Sequence, residues 1–185
     1  YALETQDSIG NNNNVSLLGM PVENDWILYA PYSDKSLMRN FLTFDLGRKM
    51  GNYSPRTVYC ELVVNGDYKG IYILMEKIKR DNDRVDIAKL DTNDLAGDSL
   101  TGGYIIKVDK FTGTGGWGDS WQSNYSTIGG NPLTIQYHYP ESDDMLPQQK
   151  SYIESYVDSF EYALSASFFA DTTIGYNKYI NTHSF

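Results

Sequence analysis

Cysteine, histidine and basic residues are all scarce in this chain of 185 residues, which has one Cys, two His and 15 Lys plus Arg. A lone Cys60 allows no internal disulfide, and neither His138 nor His183 has a Cys near it to begin a zinc site. Acidic residues outnumber basic ones, giving a formal charge of -9 and an isoelectric point near 4.6. That balance disfavours broad binding to a phosphate backbone, where each neutralised phosphate needs a cation, so nucleic acid is not an expected partner. Long apolar runs are missing too. Nothing approaches the ~20 residues of a spanning helix, so no membrane span is expected. The opening YALETQDSIGNNNN lacks the charged lead and apolar block of a signal peptide, which places any targeting segment outside this sequence. What is present suits a folded chain: 41% apolar and 14% aromatic residues are enough for a real core and exclude disorder.

The plainest local signal is a hairpin. Val58, Cys60, Leu62 and Val64 alternate with Tyr59, Glu61 and Val63, then Asn65-Gly66 offers the positive φ angles of a type I′ turn. Tyr68, Tyr72 and Leu74 alternate with Ile71, Ile73 and Met75 on the return. Cys60 sits mid-strand, where a small buried hydrophobe is expected rather than a nucleophile. Before the hairpin, DKSLMRNFLTFDLGRKMG predicts a helix with Ser33 or Asp34 at its N-cap and Gly51 at the left-handed C′ position. Leu37, Phe41, Leu42 and Phe44 form its apolar face, expected to pack on the hairpin.

Elsewhere, Tyr1–Thr5 reads as the tail of a strand, and Trp26–Tyr29 as another. Asp81–Asp98 is a polar connection with one short apolar element, Val85–Leu90. Tyr104–Asp109 and Leu133–Tyr139 are expected to pair antiparallel across a long loop. From Pro147 a helix of about five turns carries Ile153, Tyr156, Val157, Phe160, Ala163 and Leu164 on one face. GYNKYINTHSF ends in what looks like a helix start, so the sequence reads as a fragment at both ends.

Most motif-like patterns fail on chemistry. Gly113 to Gly118 lacks the Lys-Ser or Lys-Thr of a phosphate loop, and Asp81, Asp83 and Asp86 lack the Gly and Glu of a calcium loop. No nucleophile elbow supports Ser/His/Asp catalysis. No catalytic residue and no metal ligand is assigned. Two places keep interest. Arg39 on an otherwise apolar helix wants an anionic neighbour. Glu76, Lys77 and Lys79 cluster where the hairpin leaves the sheet, which on spacing alone is an ordinary polar strand end.

The chain resembles the CotH kinase family, atypical protein kinases of the spore coat protein H type. The resemblance rests on NDWILYAPYSDKSLMRNFLTFDLGRKMG and YCELVVNGDYKGIYILMEKIKRDNDRVDI, supported by TGGYIIKVDK, QYHYP and GYNKYINTHSF. It implies an α+β, protein-kinase-like small lobe, an antiparallel sheet plus helix, over residues 1–80 up to the hinge. Residues 81–185 would supply connecting strands, a loop and the first helices of the large lobe. Asp34, Arg39 and Glu76 match the D-x-S-x-x-R and strand-end Glu positions of the family, and Met75-Glu76-Lys77 would approach the hinge under the adenine. Asn40 stands where many relatives carry Glu after the motif Arg, and the Asp-bearing catalytic and metal-binding segments of the family would follow Phe185. The resemblance therefore implies a parent that binds ATP and Mg²⁺ and phosphorylates Ser or Thr of a protein partner. This chain alone is expected to be inactive and to bind neither tightly. Composition, with 16 Tyr and many polar residues, suits an extracytoplasmic bacterial setting, and the resemblance implies the cell surface or the spore coat. The rival readings are a structural pseudokinase or a noncatalytic surface module that binds protein or glycan through Trp117, Trp121 and Tyr125 on an exposed loop.

Overall fold

The computed structural model describes residues 1–110, 119–126, 129–166, 171 and 173–180. The chain is α+β with antiparallel sheets, and it divides into two compact units, Tyr1–Val85 and a second that begins at Asp86.

The first unit is a sheet of β1 (Ala2–Glu4), β2 (Asp25–Tyr29), β3 (Thr57–Val64) and β4 (Asp67–Glu76), in the order β1-β2-β4-β3. Every pairing is antiparallel, and β4 runs centrally between β2 and β3. The β3–β4 turn is as the sequence predicts, with Asn65 at φ 53° and Gly66 at φ 82°. One feature of the hairpin escaped the alternation pattern. Leu62 pairs with Gly70 but Val63 with Tyr68, so Lys69 is the extra residue of a bulge. Gly70 beside it takes φ 100°, which a residue with a Cβ resists. One face of the sheet buries Met20, Trp26 and Leu74 as a core, with Leu3, Leu28, Val58 and Cys60 packed around it.

Helix α1 (Arg39–Lys49) lies between β2 and the hairpin in the chain and starts later than expected. Neither Ser33 nor Asp34 is its N-cap, because Leu37 is held at φ 60° and no helix can pass through it. Asp34 instead organises the preceding turn. Gly51 does take the left-handed position, at φ 83°, and its N–H donates to the Arg48 carbonyl. Packing on the hairpin is shallow: Phe41 stacks on Tyr59 at 4.9 Å, and the Tyr59 hydroxyl donates to the Leu37 carbonyl at 2.7 Å. No α1 residue is fully buried, and Leu42, assigned inward by its spacing, is exposed.

The second unit holds α2 (Gly97–Thr101), β5 (Ile105–Lys107), β6 (Ser120–Ser126), β7 (Pro132–Tyr139) and α3 (Pro147–Ser165). The expected β5–β7 pairing is present, but β7 is central, in the order β5-β7-β6. Strand β6 corrects the expectation of a loop. Trp121 is not displayed there for sugar stacking. It sits opposite Ile135, and its ring lies 4.7 Å from that of Tyr137 in a core of Tyr137, Met145 and Ile153. Its polar neighbours Gln122, Ser123 and Asn124 hid the strand from a hydrophobic-pattern reading. Helix α3 starts at Pro147 as expected, with the Gln149 side chain accepting from the Leu146 N–H at 3.0 Å. Gln149 is fully buried and donates to the Asp91 carbonyl at 2.7 Å, which ties the irregular segment before α2 onto α3. Trp117, the Gly113–Gly118 pattern and the helix start at His183 lie outside the described residues.

Candidate functional site

Asp34 and Arg39 are brought together. The Asp34 carboxylate accepts from the Ser36 N–H at 3.0 Å, the Ser36 hydroxyl at 2.7 Å and the Arg39 N–H at 2.8 Å. It thus satisfies an amide of the first helical turn from outside the helix, doing the work of a cap from an unexpected distance. These bonds, the Ser36 hydroxyl foremost, hold its carboxyl below the usual carboxylate range. Its Oδ1 lies 3.6 Å from Arg39 Nε, and the carboxylate is buried while the Arg39 side chain is 81% exposed. Asp34 anchors the base of Arg39, and the guanidinium projects into solvent.

Glu76 closes the central strand of the first unit. It is 1% exposed and is the last residue of β4. Its carboxylate accepts from the Arg56 N–H at 2.8 Å and from Arg56 Nη1 at 2.7 Å. Met75 is buried in register with Ile27 on one side and Thr57 on the other. The side chains of Met75 and Glu76 are therefore spent on the interior. Near them the Tyr53 hydroxyl is pushed up to about 12, by burial first and then by the Glu76 carboxylate.

Beyond Glu76 the chain is locked to the start of β2. Lys77 Nζ donates to Asp25 at 3.2 Å, and Lys79 Nζ bridges Asp25 at 2.8 Å and Glu23 at 3.1 Å. Burial opposes charge on both Asp25 and Lys79, but the hydrogen bonds between them outweigh it. Asp25 is held low and Lys79 high, each toward its charged form. Arg84, 5% exposed, donates Nη1 to the Lys77 carbonyl at 2.8 Å and Nη2 to the Asp25 carbonyl at 2.7 Å. Its guanidinium lies over Trp26, 5.3 Å from the ring. Sequence reasoning singled out Glu76, Lys77 and Lys79 but missed Glu23, Asp25, Arg56 and Arg84. The register of β2 on β4, Trp26 opposite Glu76, brings Asp25 to this place, the pairing of β3 on β4 brings Arg56, and the loop after β4 brings Arg84.

Among the described residues no group of His, Cys, Asp and Glu side chains is arranged to hold a metal, and no helix is long and apolar enough to cross a membrane.

Comparison with known proteins places the sequence in one family. The inner spore coat protein H of Bacillus subtilis (strain 168) is 37% identical over 51 residues, 28% of this chain and 14% of that protein. The alignment thus takes in a small part of the relative's length. No solved structure matches. The sequence model of the family described as CotH kinase protein matches residues 1–185, the whole sequence, and the chain belongs to that family.

Proposed function

We propose that the first unit is the nucleotide-facing small lobe of an atypical protein kinase. The parent protein would transfer phosphate from ATP to Ser or Thr of a protein partner, on the cell surface or in the spore coat. The observation that carries the reading is the topology of the first unit. A strand, a helix and a hairpin follow one another, the last strand lies centrally, and the chain leaves that strand at Glu76 toward Lys77. Family membership and the name of the spore-coat relative support the same reading. Met75 and Glu76 turn their side chains inward, so contact with an adenine at this exit falls to the main chain of residues 75–77. Arg39, exposed and anchored by Asp34, is the candidate phosphate-facing cation.

The usual small-lobe ion pair between a strand Lys and a helix Glu is not built from β2 and α1. Strand β2 reads DWILY, and the first turn of α1 has no acidic residue. ATP and Mg²⁺ would be positioned largely by parts of the parent that carry Asp-bearing segments. Such carboxylates hold the metal that offsets charge on the transferring phosphoryl group. This chain by itself is proposed to be catalytically silent.

The test uses the full-length protein. Mg²⁺-dependent ATP binding, competed by adenosine, together with phosphate transfer to Ser or Thr supports the kinase reading. A full-length protein that shows neither overturns the reading in favour of a structural pseudokinase or a noncatalytic surface module. Phosphate transfer by the present chain, purified free of other kinases, would overturn the proposal that it is silent.

A further inference from the structure

The first unit contains a second polar feature that the nucleotide reading does not use. A cavity of about 370 Å³ opens between the turn that follows α1 and the segment Asn82–Arg84. Its wall carries Arg48, Arg56 and Arg84, with Ser54 and Asn82 as further hydrogen-bond donors and Asp83 as the one carboxylate. The guanidinium charges are not equally matched. Arg48 has Asp45 at 3.5 Å, and Arg56 has Glu76 at 2.7 Å. Arg84 is the most buried of the three, and its bonds go to two carbonyls and an aromatic face. It forms no salt bridge among the described residues. A guanidinium taken out of water is costly without an anion to offset it.

Donor capacity remains. Arg56 commits Nη1 to Glu76 and to the Asp83 carbonyl, leaving Nε and Nη2 without a protein partner among the described residues. Arg84 uses one hydrogen on each Nη and leaves Nε and the second hydrogens. The negative end of α1 does not face the cavity bare. The N–H groups of Met50, Gly51 and Asn52 donate to the carbonyls of Leu46, Arg48 and Gly47. Three arginines lining one cavity, one of them without an ion pair among the described residues, and space for a small group describe a receptor for a tetrahedral oxyanion, although Arg48 Nη1 is already spent on the Pro55 carbonyl.

We propose that this cavity is an oxyanion site that takes a phosphate group, either free or carried as a monoester on a side chain. Arg84 supplies a charge with no ion pair among the described residues, and Arg56 and Arg48 supply flanking donors. The site adjoins the proposed adenine contact, since Arg84 donates to the Lys77 carbonyl, but the inference does not rest on that reading.

Arg84 also holds Lys77 to Asp25, so the test places its variants on the exposed rim. Inorganic phosphate and phosphoserine are titrated into the chain and followed by ³¹P line position and calorimetry. Saturable binding of either probe is expected. Asn82→Asp should weaken it about threefold or more and Asp83→Asn should strengthen it by a similar factor, because one charge at the rim acts through partly screened Coulomb interaction. Opposite effects from neighbouring exposed residues are not what a general loss of structure produces. Binding of phosphate alone assigns the free anion, and binding of both extends the site to phosphorylated side chains. No saturable binding of either probe, or affinities unmoved in both variants, overturns the proposal. Adenosine carries no phosphate, so its competition with ATP reports on the nucleotide reading and not on this cavity.

Discussion

The Glu76 carboxylate and Arg56 are joined twice, through the Arg56 backbone N–H at 2.8 Å and its guanidinium at 2.7 Å, with Glu76 only 1% exposed. Truncating Arg56 strands a buried charge that keeps one amide donor. Loss of a partner from a fully buried pair costs about 3–5 kcal/mol. Arg56 is 43% exposed, so water can partly replace it. We expect Arg56→Met to destabilise the first unit by about 2–3 kcal/mol in urea unfolding. The double variant Arg56→Met, Glu76→Gln should recover part of that loss, since no charge is left behind. A double variant as unstable as the sum of its parts would show that the two residues are not coupled.

A titration follows from Asp34. Its carboxyl is held low in the folded chain, by the Ser36 hydroxyl first and the Arg39 amide next. A depressed folded pKa means that the contribution to stability is present above the unfolded value, near 3.9, and fades as pH falls through the folded value. Asp34→Asn should therefore lower Tm at neutral pH, with the gap from the parent closing as the solution is acidified below about pH 4. Thermal unfolding followed from pH 7 downward checks this, and a gap that stays constant would mean that the carboxylate charge is not what matters.

Lys79 gives the opposite slope. Burial pulls its pKa down, but bonds to Asp25 and Glu23 more than compensate, and the net shift is upward. Its contribution is fully present below the unfolded value near 10.4 and is lost as pH rises through the folded one. Lys79→Met should thus lower Tm at neutral pH, and the difference from the parent should narrow in strongly alkaline solution. Thermal melts of both chains between pH 8 and the alkaline limit, on the order of pH 11, measure it. A difference that widens with pH would contradict the assignment.

How far these features were legible depends on the range over which their causes act. The Asn65-Gly66 turn, β7 and α3 follow from residues adjacent in sequence, where turn chemistry and periodicity are decisive. The start of α1 was misplaced because Asp34 caps from five residues away, around a left-handed Leu37 that composition does not announce. Strand β6 was missed because its pattern is polar and its stability comes from β7 and from Trp121 on Tyr137. The candidate residues Asp34, Arg39, Met75, Glu76 and Lys77 came from family resemblance. Their partners Arg56 and Asp25 come from strand register and Arg84 from a loop that folds back on β2, and none of them could be read along the chain.

Gly102 and Gly103 open β5 and look equivalent in sequence, yet they should respond differently to a methyl group. A Cβ on Gly103 would lie 2.5 Å from the Ala88 carbonyl oxygen, and the backbone there has φ 87°. A Cβ on Gly102 meets only the Ala88 Cβ at 3.6 Å, an ordinary contact. Left-handed backbone alone costs a residue with a Cβ roughly 1–2 kcal/mol, and the clash with main chain adds to it. Gly103→Ala is expected to reduce hydrogen-exchange protection in β5 and β7 strongly, with Gly102→Ala within about 1 kcal/mol of the parent.

Arg39 separates the role of a side chain in folding from its role in a site. Its side chain is 81% exposed, and its ion pair with Asp34, at 3.6 Å, is of the exposed kind that contributes little to stability. The amide that Asp34 accepts from belongs to the Arg39 backbone and survives any substitution other than proline. Arg39→Gln should therefore leave urea unfolding of the chain nearly unchanged. In the full-length protein the same substitution removes a cation proposed to face the nucleotide phosphates, where a charge-assisted hydrogen bond contributes about 1.5–3 kcal/mol. That corresponds to a loss of roughly tenfold or more in Mg²⁺-dependent ATP affinity, with adenosine affinity unchanged because adenosine carries no phosphate. Equal weakening of ATP and adenosine would place Arg39 outside the phosphate contact, and a large fall in stability would make it a structural residue.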